Sequence, residues 1–187
     1  MRDAAPIPRT WRVPQDGVQV IRRPAVSAAR NTSTAPEIVY TLHPGDLAFA
    51  TQGERLETLL GSCVSIVLTD PRRTVGAMCH IVHAKPAVTG ARNSGAYAEV
   101  ALEGMYQLLR DHAVAPKLCE AYVFGGGNMF PDLVQVSNIG DDNVRWVFDA
   151  LAADGIPVLD HDVGGNVYRR LGWTVGHIPP QVIAVQV

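Results

Sequence analysis

From Ile38 onward the sequence is divided into short apolar runs, each bounded by residues that favour turns. Runs of this length and composition are typical of strands rather than of long helices. They include residues 38–42, 46–50, 63–70 and 75–83. Asp70-Pro71-Arg72-Arg73 separates the last two runs and predicts a tight turn, so these two strands should pair as antiparallel neighbours.

Two longer segments have helical spacing of their apolar residues instead. Asn93-Ser94 offers an N-cap before the segment 96–112, and an aspartate pair precedes the second segment, 144–155, which ends in glycine. An apolar strand that ends in glycines, 121–127, lies between them, and shorter apolar stretches follow as far as Val187. This order of strands, helix, strand, helix and strands predicts an α+β fold, a layered mixed β-sheet domain flanked by two main helices.

The chain has 187 residues, which favours one domain with a hydrophobic core. Residues 1–36 are rich in proline, arginine and small polar residues and have no helical or strand period, so they predict a disordered N-terminal extension. The alternative is that apolar residues within it, such as Trp11 and Ile21, form a short docking segment. Residues 37–187 then form the folded domain.

Charge and hydropathy exclude several functional classes. A formal net charge of −2 gives no general attraction to nucleic acid or to anionic lipid. Apolar runs are too short to span a membrane, and the first residues lack the apolar stretch of a secretory signal, so a cytoplasmic protein is expected. Three cysteines at irregular spacing, in a reducing compartment, are expected to be free thiols.

The segment Gly61-Ser62-Cys63-Val64 places a cysteine at the start of an apolar strand, directly after a glycine turn. A thiol at the end of a strand is held rigidly and is still open to a substrate. Backbone N–H groups at such a turn can also stabilise an oxyanion that forms on an attacked carbonyl. The alternative is that Cys63 is a buried cysteine that packs as a small apolar side chain.

His80 is the candidate partner of that thiol. If the strands pair through the 70–73 turn, residues whose numbers sum to about 143 lie opposite one another, and Cys63 then faces His80 on the neighbouring strand. Imidazole beside a thiol is the arrangement that cysteine catalysis needs, because the thiolate is the nucleophile. The alternative is a core histidine whose hydrogen bonds are satisfied within the sheet.

The segment from Gly61 to His83 resembles the active-site hairpin of the CheD chemoreceptor glutamine deamidases, in which the cysteine precedes the histidine by seventeen residues, as here. The resemblance continues in order through Gly95-Ala96-Tyr97-Ala98-Glu99, Phe124-Gly125-Gly126-Gly127-Asn128-Met129-Phe130, Asn138-Ile139-Gly140, Asn143, Asp162-Val163-Gly164-Gly165-Asn166 and Arg169. It covers residues 41–175, which is nearly all of the predicted folded domain.

The resemblance implies that the protein deamidates particular glutamines of methyl-accepting chemotaxis receptors to glutamates. Cys63 is then the nucleophile and His80 the base and acid. Gly61, Ser62, Gly125 and Gly126 are the predicted oxyanion or substrate-binding residues, because glycine lets a backbone approach the reacting group. The partners implied are the receptors and a CheC-type phosphatase, and no cofactor is implied.

One position departs from the family pattern. The family has a threonine six residues before the cysteine, and this chain has Glu57 there. Thr58 is one place later, which in a continuous extended segment would point it to the other face. Glu57 is then the candidate to orient His80, as a carboxylate does in other triads, unless it disrupts the site instead. Two alternatives remain: an inactive adaptor that binds receptors or the phosphatase, and a related hydrolase of another amide.

Cys79-His80-x-x-His83, with Cys63 nearby, also has the residue types of a zinc site. Successive strand residues point to opposite faces, so Cys79 and His80 are poorly placed to share a metal ion, and a second ligand pair is missing. No metal site is predicted.

Overall fold

The computed structural model describes residues 19–21, 38–85, 94–129 and 139–186, which form ten strands, two α-helices and one short 3-10 helix. In chain order these are β1 (Val20–Ile21), β2 (Val39–Leu42), β3 (Leu47–Thr51), β4 (Arg55–Leu60), β5 (Val64–Thr69), β6 (Val75–Cys79), α1 (Ala98–Asp111), the 3-10 helix (Pro116–Leu118), β7 (Glu120–Gly125), α2 (Ile139–Asp154), β8 (Val158–Val163), β9 (Val167–Thr174) and β10 (Gln181–Gln186).

The strands form two mixed sheets. The larger has the order β1-β3-β6-β5-β7-β8, and the smaller has the order β10-β9-β4-β2. The predicted layered α+β class with two main helices is confirmed. The division into two sheets was not predicted, since the strand pattern does not say which strands share a sheet. No helix within the described ranges is long and apolar enough to cross a bilayer.

Strand β5 explains how the layers stack, because all six of its residues are buried. Val64, Ile66 and Leu68 belong to the core beneath the helices, whereas Val67 belongs to a second core between the two sheets. A strand covered on both faces is expected to be a continuous apolar run, and the sequence has such a run here.

The helices cover the outer face of the larger sheet. Met105 and Leu109 of α1 and Val147 and Leu151 of α2 are fully buried in the core they form with that sheet. The smaller sheet packs on the opposite face of the larger sheet, and its contribution to the core includes Trp173 of β9. The larger sheet is therefore the central layer of the domain.

Strand β4 was not predicted. Its sequence Arg-Leu-Glu-Thr-Leu-Leu mixes charged and apolar residues, because alternate side chains face solvent. Leu56, Thr58 and Leu60 are buried, whereas Leu59 is exposed. β4 is central in the smaller sheet, between the parallel β2 and the antiparallel β9.

The β5–β6 hairpin has the predicted antiparallel pairing but a wider loop. Leu68 pairs with Ala77 and Thr69 with Gly76, so paired numbers sum to 145 rather than to 143. The loop is wider because the Asp70 carboxylate accepts hydrogen bonds from the N–H groups of Thr74 and Val75, at 2.7 and 3.0 Å. A shift of two residues keeps every side chain on the face that was predicted.

Most of the predicted N-terminal extension, including Trp11, lies outside the described residues. Within it, Val20 and Ile21 form β1, which pairs in parallel with Leu47 and Ala48 of β3. These two residues are thus part of the larger sheet.

Candidate active site

Cys63 lies at the bend where the chain passes from the smaller sheet into the larger one. Gly61 and Ser62 form this bend between β4 and β5, and Cys63 is half-buried immediately before β5. A Cβ at position 61 would lie 2.8 Å from the Met129 sulfur, so the Met129 side chain packs directly against the bend. The thiol is therefore presented at the junction of the two sheets.

The glycine run at the end of β7 supports the backbone of Cys63. The Gly126 N–H donates to the Cys63 carbonyl, and the Gly127 N–H donates to the Gly61 carbonyl, both at 2.8 Å. A Cβ on Gly125, whose φ is +109°, would lie 2.2 Å from the Cys63 carbonyl oxygen. Since the Gly126 N–H is already bound to this carbonyl, Gly126 holds Cys63 in place and is not a free donor for an oxyanion.

His80 follows β6 and is buried, with 3% of its surface exposed. Both main-chain polar groups of His80 are bonded to the turn at Gly45 and Asp46. The Gly45 N–H donates to the His80 carbonyl at 2.9 Å, and the His80 N–H donates to the Asp46 carbonyl at 3.0 Å. The imidazole therefore stands on a backbone with little freedom to shift.

A hydrogen-bond chain sets the tautomer of His80. Thr58 Oγ1 donates to the Leu42 carbonyl at 2.8 Å and lies 2.8 Å from His80 Nδ1. A hydroxyl has one proton, so with that proton on Leu42 the Thr58 oxygen accepts from Nδ1–H. In the neutral ring Nε2 then has the free lone pair, which is the form that a general base needs.

The Cys63 and His80 side chains face the same layer. Val64 and Ile81 exchange both backbone hydrogen bonds, at 2.9 and 2.8 Å, which extends the β5–β6 register to this end of the sheet. In this register Ser65 lies opposite His80, and Cys63 is its diagonal neighbour on the same face. Diagonal neighbours remain within reach of ring side chains. Cys63 packs against the core between the sheets, and His80 bonds to the smaller sheet.

Burial affects the two groups in opposite directions. It raises the pKa of the Cys63 thiol above 9.0, an effect that the residue's own backbone N–H partly opposes. It lowers the pKa of His80 below 6.5, against the opposing effects of the nearby Leu42 carbonyl and of the Asp46 charge. Both groups are thus neutral at rest near pH 7. This arrangement favours a thiol that gives its proton to His80 as it attacks, rather than a thiol that is already ionised before the substrate binds.

The other two thiols lie in the apolar core away from the bend. Burial raises the pKa of Cys79 to about 12 and the pKa of Cys119 to about 11. Neither is suited to act as a nucleophile at neutral pH.

The structure places Glu57 outside the site. Its carboxylate accepts from Thr41 Oγ1 at 3.1 Å and from Arg55 Nε at 3.4 Å, on the outward face of β4. The residue that contacts His80 is Thr58. Glu57 does not share a face with Cys63, as it would in one continuous extended segment. The bend at Gly61 moves the chain into another sheet, so alternation does not carry across it.

Asn143 is a second residue whose role the sequence did not reveal. It lies in the first turns of α2 and is fully buried. Its Nδ2 donates to the carbonyls of Ser62 and Val82, at 3.2 and 3.0 Å, and its Oδ1 accepts from the Ala84 N–H at 2.6 Å. Its position in the resembling motif was the only sequence signal that pointed to it.

A family model described as CheD chemotactic sensory transduction matches residues 83–177 of the chain. Asn143 lies within this match, whereas Cys63, His80 and Thr58 precede its first residue.

Curated relatives match over a larger part of the chain. It is 32% identical over 133 residues to the probable chemoreceptor glutamine deamidase CheD of Pseudomonas fluorescens (strain SBW25), covering 70% of this chain and 75% of the relative. It is 35% identical over 148 residues to the probable chemoreceptor glutamine deamidase CheD 3 of Dechloromonas aromatica (strain RCB), covering 76% and 86%. A relative of the same description from Methanococcus maripaludis (strain C6) is 28% identical over 134 residues, covering 72% and 87%.

Proposed function

This chain belongs to the CheD family, and from that premise we propose that it hydrolyses glutamine side-chain amides on chemoreceptors and leaves glutamates. The observation that carries the proposal is the 2.8 Å contact between Thr58 Oγ1 and His80 Nδ1. Because Thr58 donates its own proton to Leu42, this contact keeps the proton of the neutral imidazole on Nδ1. Nε2 is then available to the thiol of Cys63.

The reaction proceeds in two halves. Nε2 of His80 takes the proton of the Cys63 thiol as sulfur attacks the amide carbon, and it then gives this proton to the departing ammonia. The C–N bond breaks and a thioester to Cys63 remains. His80 next removes a proton from water, which attacks the thioester carbon. The C–S bond breaks, sulfur regains the proton, and the product is a glutamate side chain.

The negative oxygen that forms in each half requires donors close to the sulfur. The backbone N–H of Cys63 favours the charged form of its own sulfur, so it is the first candidate for this role. The bend residues Gly61 and Ser62 adjoin it, and Gly125 packs against the Cys63 carbonyl. Preorganised N–H groups of this kind typically contribute roughly 10²–10³-fold to kcat.

A cysteine hydrolase fold of the CheD type, acting in the cytoplasm, accounts for these features together. The substrates are the cytoplasmic portions of methyl-accepting chemotaxis receptors, and a CheC-type phosphatase is a further partner. The alternative of a non-catalytic adaptor depended on Glu57 at the family threonine position. It loses that support because Thr58 makes the contact to His80.

Mass spectrometry of a receptor cytoplasmic fragment tests the proposal. Incubation with the protein should replace NH2 by OH on particular glutamine side chains and release an equal amount of ammonia. Cys63→Ala should abolish both, whereas Cys119→Ala, which alters a thiol remote from the bend, should retain them. Equal conversion by the wild type and Cys63→Ala would rule out the proposed enzyme.

A further inference from the structure

We propose that Asn143 is a positioning residue that holds the ends of the Cys63 and His80 strands at the separation that catalysis requires. This inference rests on the proposed function, and it adds a component from outside the two strands. The side chain belongs to α2, on the far side of the larger sheet from Thr58. It therefore supports the thiol–imidazole pair from the opposite face.

The backbone ladder between the two strands ends at Val64 and Ile81. In a continued ladder, Ser62 and His83 would form the next hydrogen-bonded pair. Instead, His83 turns toward the start of α1: its N–H donates to the Ala96 carbonyl at 3.0 Å, and its carbonyl accepts from the Ala98 N–H at 2.9 Å. The Ser62 carbonyl therefore loses its strand partner directly beside Cys63.

The side-chain amide of Asn143 occupies the gap that results. Its Nδ2 bridges the Ser62 and Val82 carbonyls, one on each strand, and its Oδ1 takes the Ala84 N–H. A primary amide offers two donors and an acceptor, so one side chain serves both diverging strands. The Asn143 side chain is itself fully buried, so its three hydrogen bonds all go to these backbone groups.

Glycine packing brings α2 close enough for this contact. A Cβ on Gly140 would lie 2.4 Å from the Gly126 carbonyl oxygen, so the start of the helix packs directly on the glycine run. Gly126 in turn donates to the Cys63 carbonyl. The helix, the glycine run and Cys63 thus form one connected backbone unit, and Asn143 links that unit to the His80 strand.

Two substitutions separate positioning from packing. Asn143→Asp keeps the shape and the acceptor to Ala84 but replaces the bridging donor with an oxygen that faces two carbonyls. Val147→Ala removes a buried contact of the same helix and leaves the bridging amide intact. We expect Asn143→Asp to lower kcat about 10²-fold with little change in KM, since small misplacements of reacting groups have effects of that size. Val147→Ala should lower the melting temperature and retain kcat.

A double-mutant cycle, measured by alkylation of Cys63 without substrate, tests the positioning role directly. His80→Ala should slow iodoacetamide alkylation of Cys63 in the wild type and in Val147→Ala. In Asn143→Asp it should have little further effect, because the imidazole no longer meets the sulfur. This readout needs no receptor, so it stands even if glutamine conversion is never observed.

If His80→Ala slows the alkylation of Cys63 as much in Asn143→Asp as in the wild type, the proposal is overturned. Asn143→Ser, which retains a single small donor, is the second variant and should give an intermediate loss. If both variants at position 143 lose the folded circular dichroism signal, the side chain serves folding rather than positioning, and the proposal is likewise overturned.

Discussion

Thr58 Oγ1 and His80 Nδ1 lie 2.8 Å apart although the two residues belong to different sheets. The contact crosses the interface between the layers, and the hydroxyl is itself anchored on the Leu42 carbonyl. The orientation of the candidate base therefore depends on how the two sheets pack, as well as on the hairpin that carries Cys63 and His80.

Replacing the hydroxyl tests this dependence. Thr58→Val keeps the shape but removes the acceptor for Nδ1–H, and it removes the hydroxyl that donates to the Leu42 carbonyl. We expect kcat for glutamine conversion to fall roughly 10²-fold, and the free energy of unfolding to fall by about 1–3 kcal/mol. Thr58→Ser retains the oxygen and should keep most of the activity. Equal activity of the valine and wild-type proteins would contradict the proposed role.

Glu57 provides the complementary prediction. Its carboxylate faces Thr41 and Arg55 on the outward face of β4 and is more than a third exposed. Glu57→Gln should therefore leave kcat within about twofold of the wild type, because an exposed ion pair is worth less than about 1 kcal/mol. Steady-state kinetics on the receptor fragment measure this. A large loss in Glu57→Gln would show that the carboxylate reaches His80 during turnover.

The shifted pKa values predict a broad pH range of activity. The active form has neutral His80 and neutral Cys63. Activity is lost on the acid side when His80 binds a proton, which the lowered pKa places below 6.5. On the basic side the limit is the raised pKa of Cys63, above 9.0. The pH profile of kcat/KM should thus be flat from about pH 7 to pH 9. An acid limb well above 6.5 would contradict this ordering.

The three thiols should differ in their reaction with iodoacetamide. Cys63 is half-buried at the bend, whereas burial raises the pKa of Cys79 to about 12 and that of Cys119 to about 11. In the folded protein at pH 8, only Cys63 should be labelled at early times, and all three should be labelled in denaturant. Peptide mass spectrometry gives the site occupancies. Early labelling of Cys119 would show that the 3-10 helix region opens readily.

The sequence predicts a structural feature well where the alternation of side chains along a strand alone determines it. The antiparallel pairing of β5 with β6 was predicted correctly, and the register differs by two, an even shift that preserves the predicted faces of the strands. The contacts that cross layers were not predictable in this way. Thr58 reaches His80 because the chain bends into a second sheet at Gly61, and Asn143 reaches Ser62 because α2 packs on glycine. Both depend on tertiary packing that no local pattern records.

The glycine run offers a last test, through two glycines that both have positive φ. Gly125 has a φ of +109°, and an added Cβ would lie 2.2 Å from the Cys63 carbonyl oxygen. Gly164 has a φ of +75°, and an added Cβ would meet nothing within 4 Å. Alanine at either position should lower stability by about 1–2 kcal/mol through backbone strain alone. Only Gly125→Ala should also displace Cys63.

We therefore expect Gly164→Ala to keep the kcat of the wild type, whereas Gly125→Ala should lower kcat at least tenfold when measured well below its melting temperature. A 2.2 Å contact with backbone cannot be relieved by rotating a side chain, so the Cys63 carbonyl, and the sulfur with it, must move. Kinetics and thermal melts on both variants measure the two effects separately. Parallel losses of stability with equal kcat values would show that the position of Cys63 tolerates displacement, which is incompatible with a thiol that must meet His80 across a fixed gap.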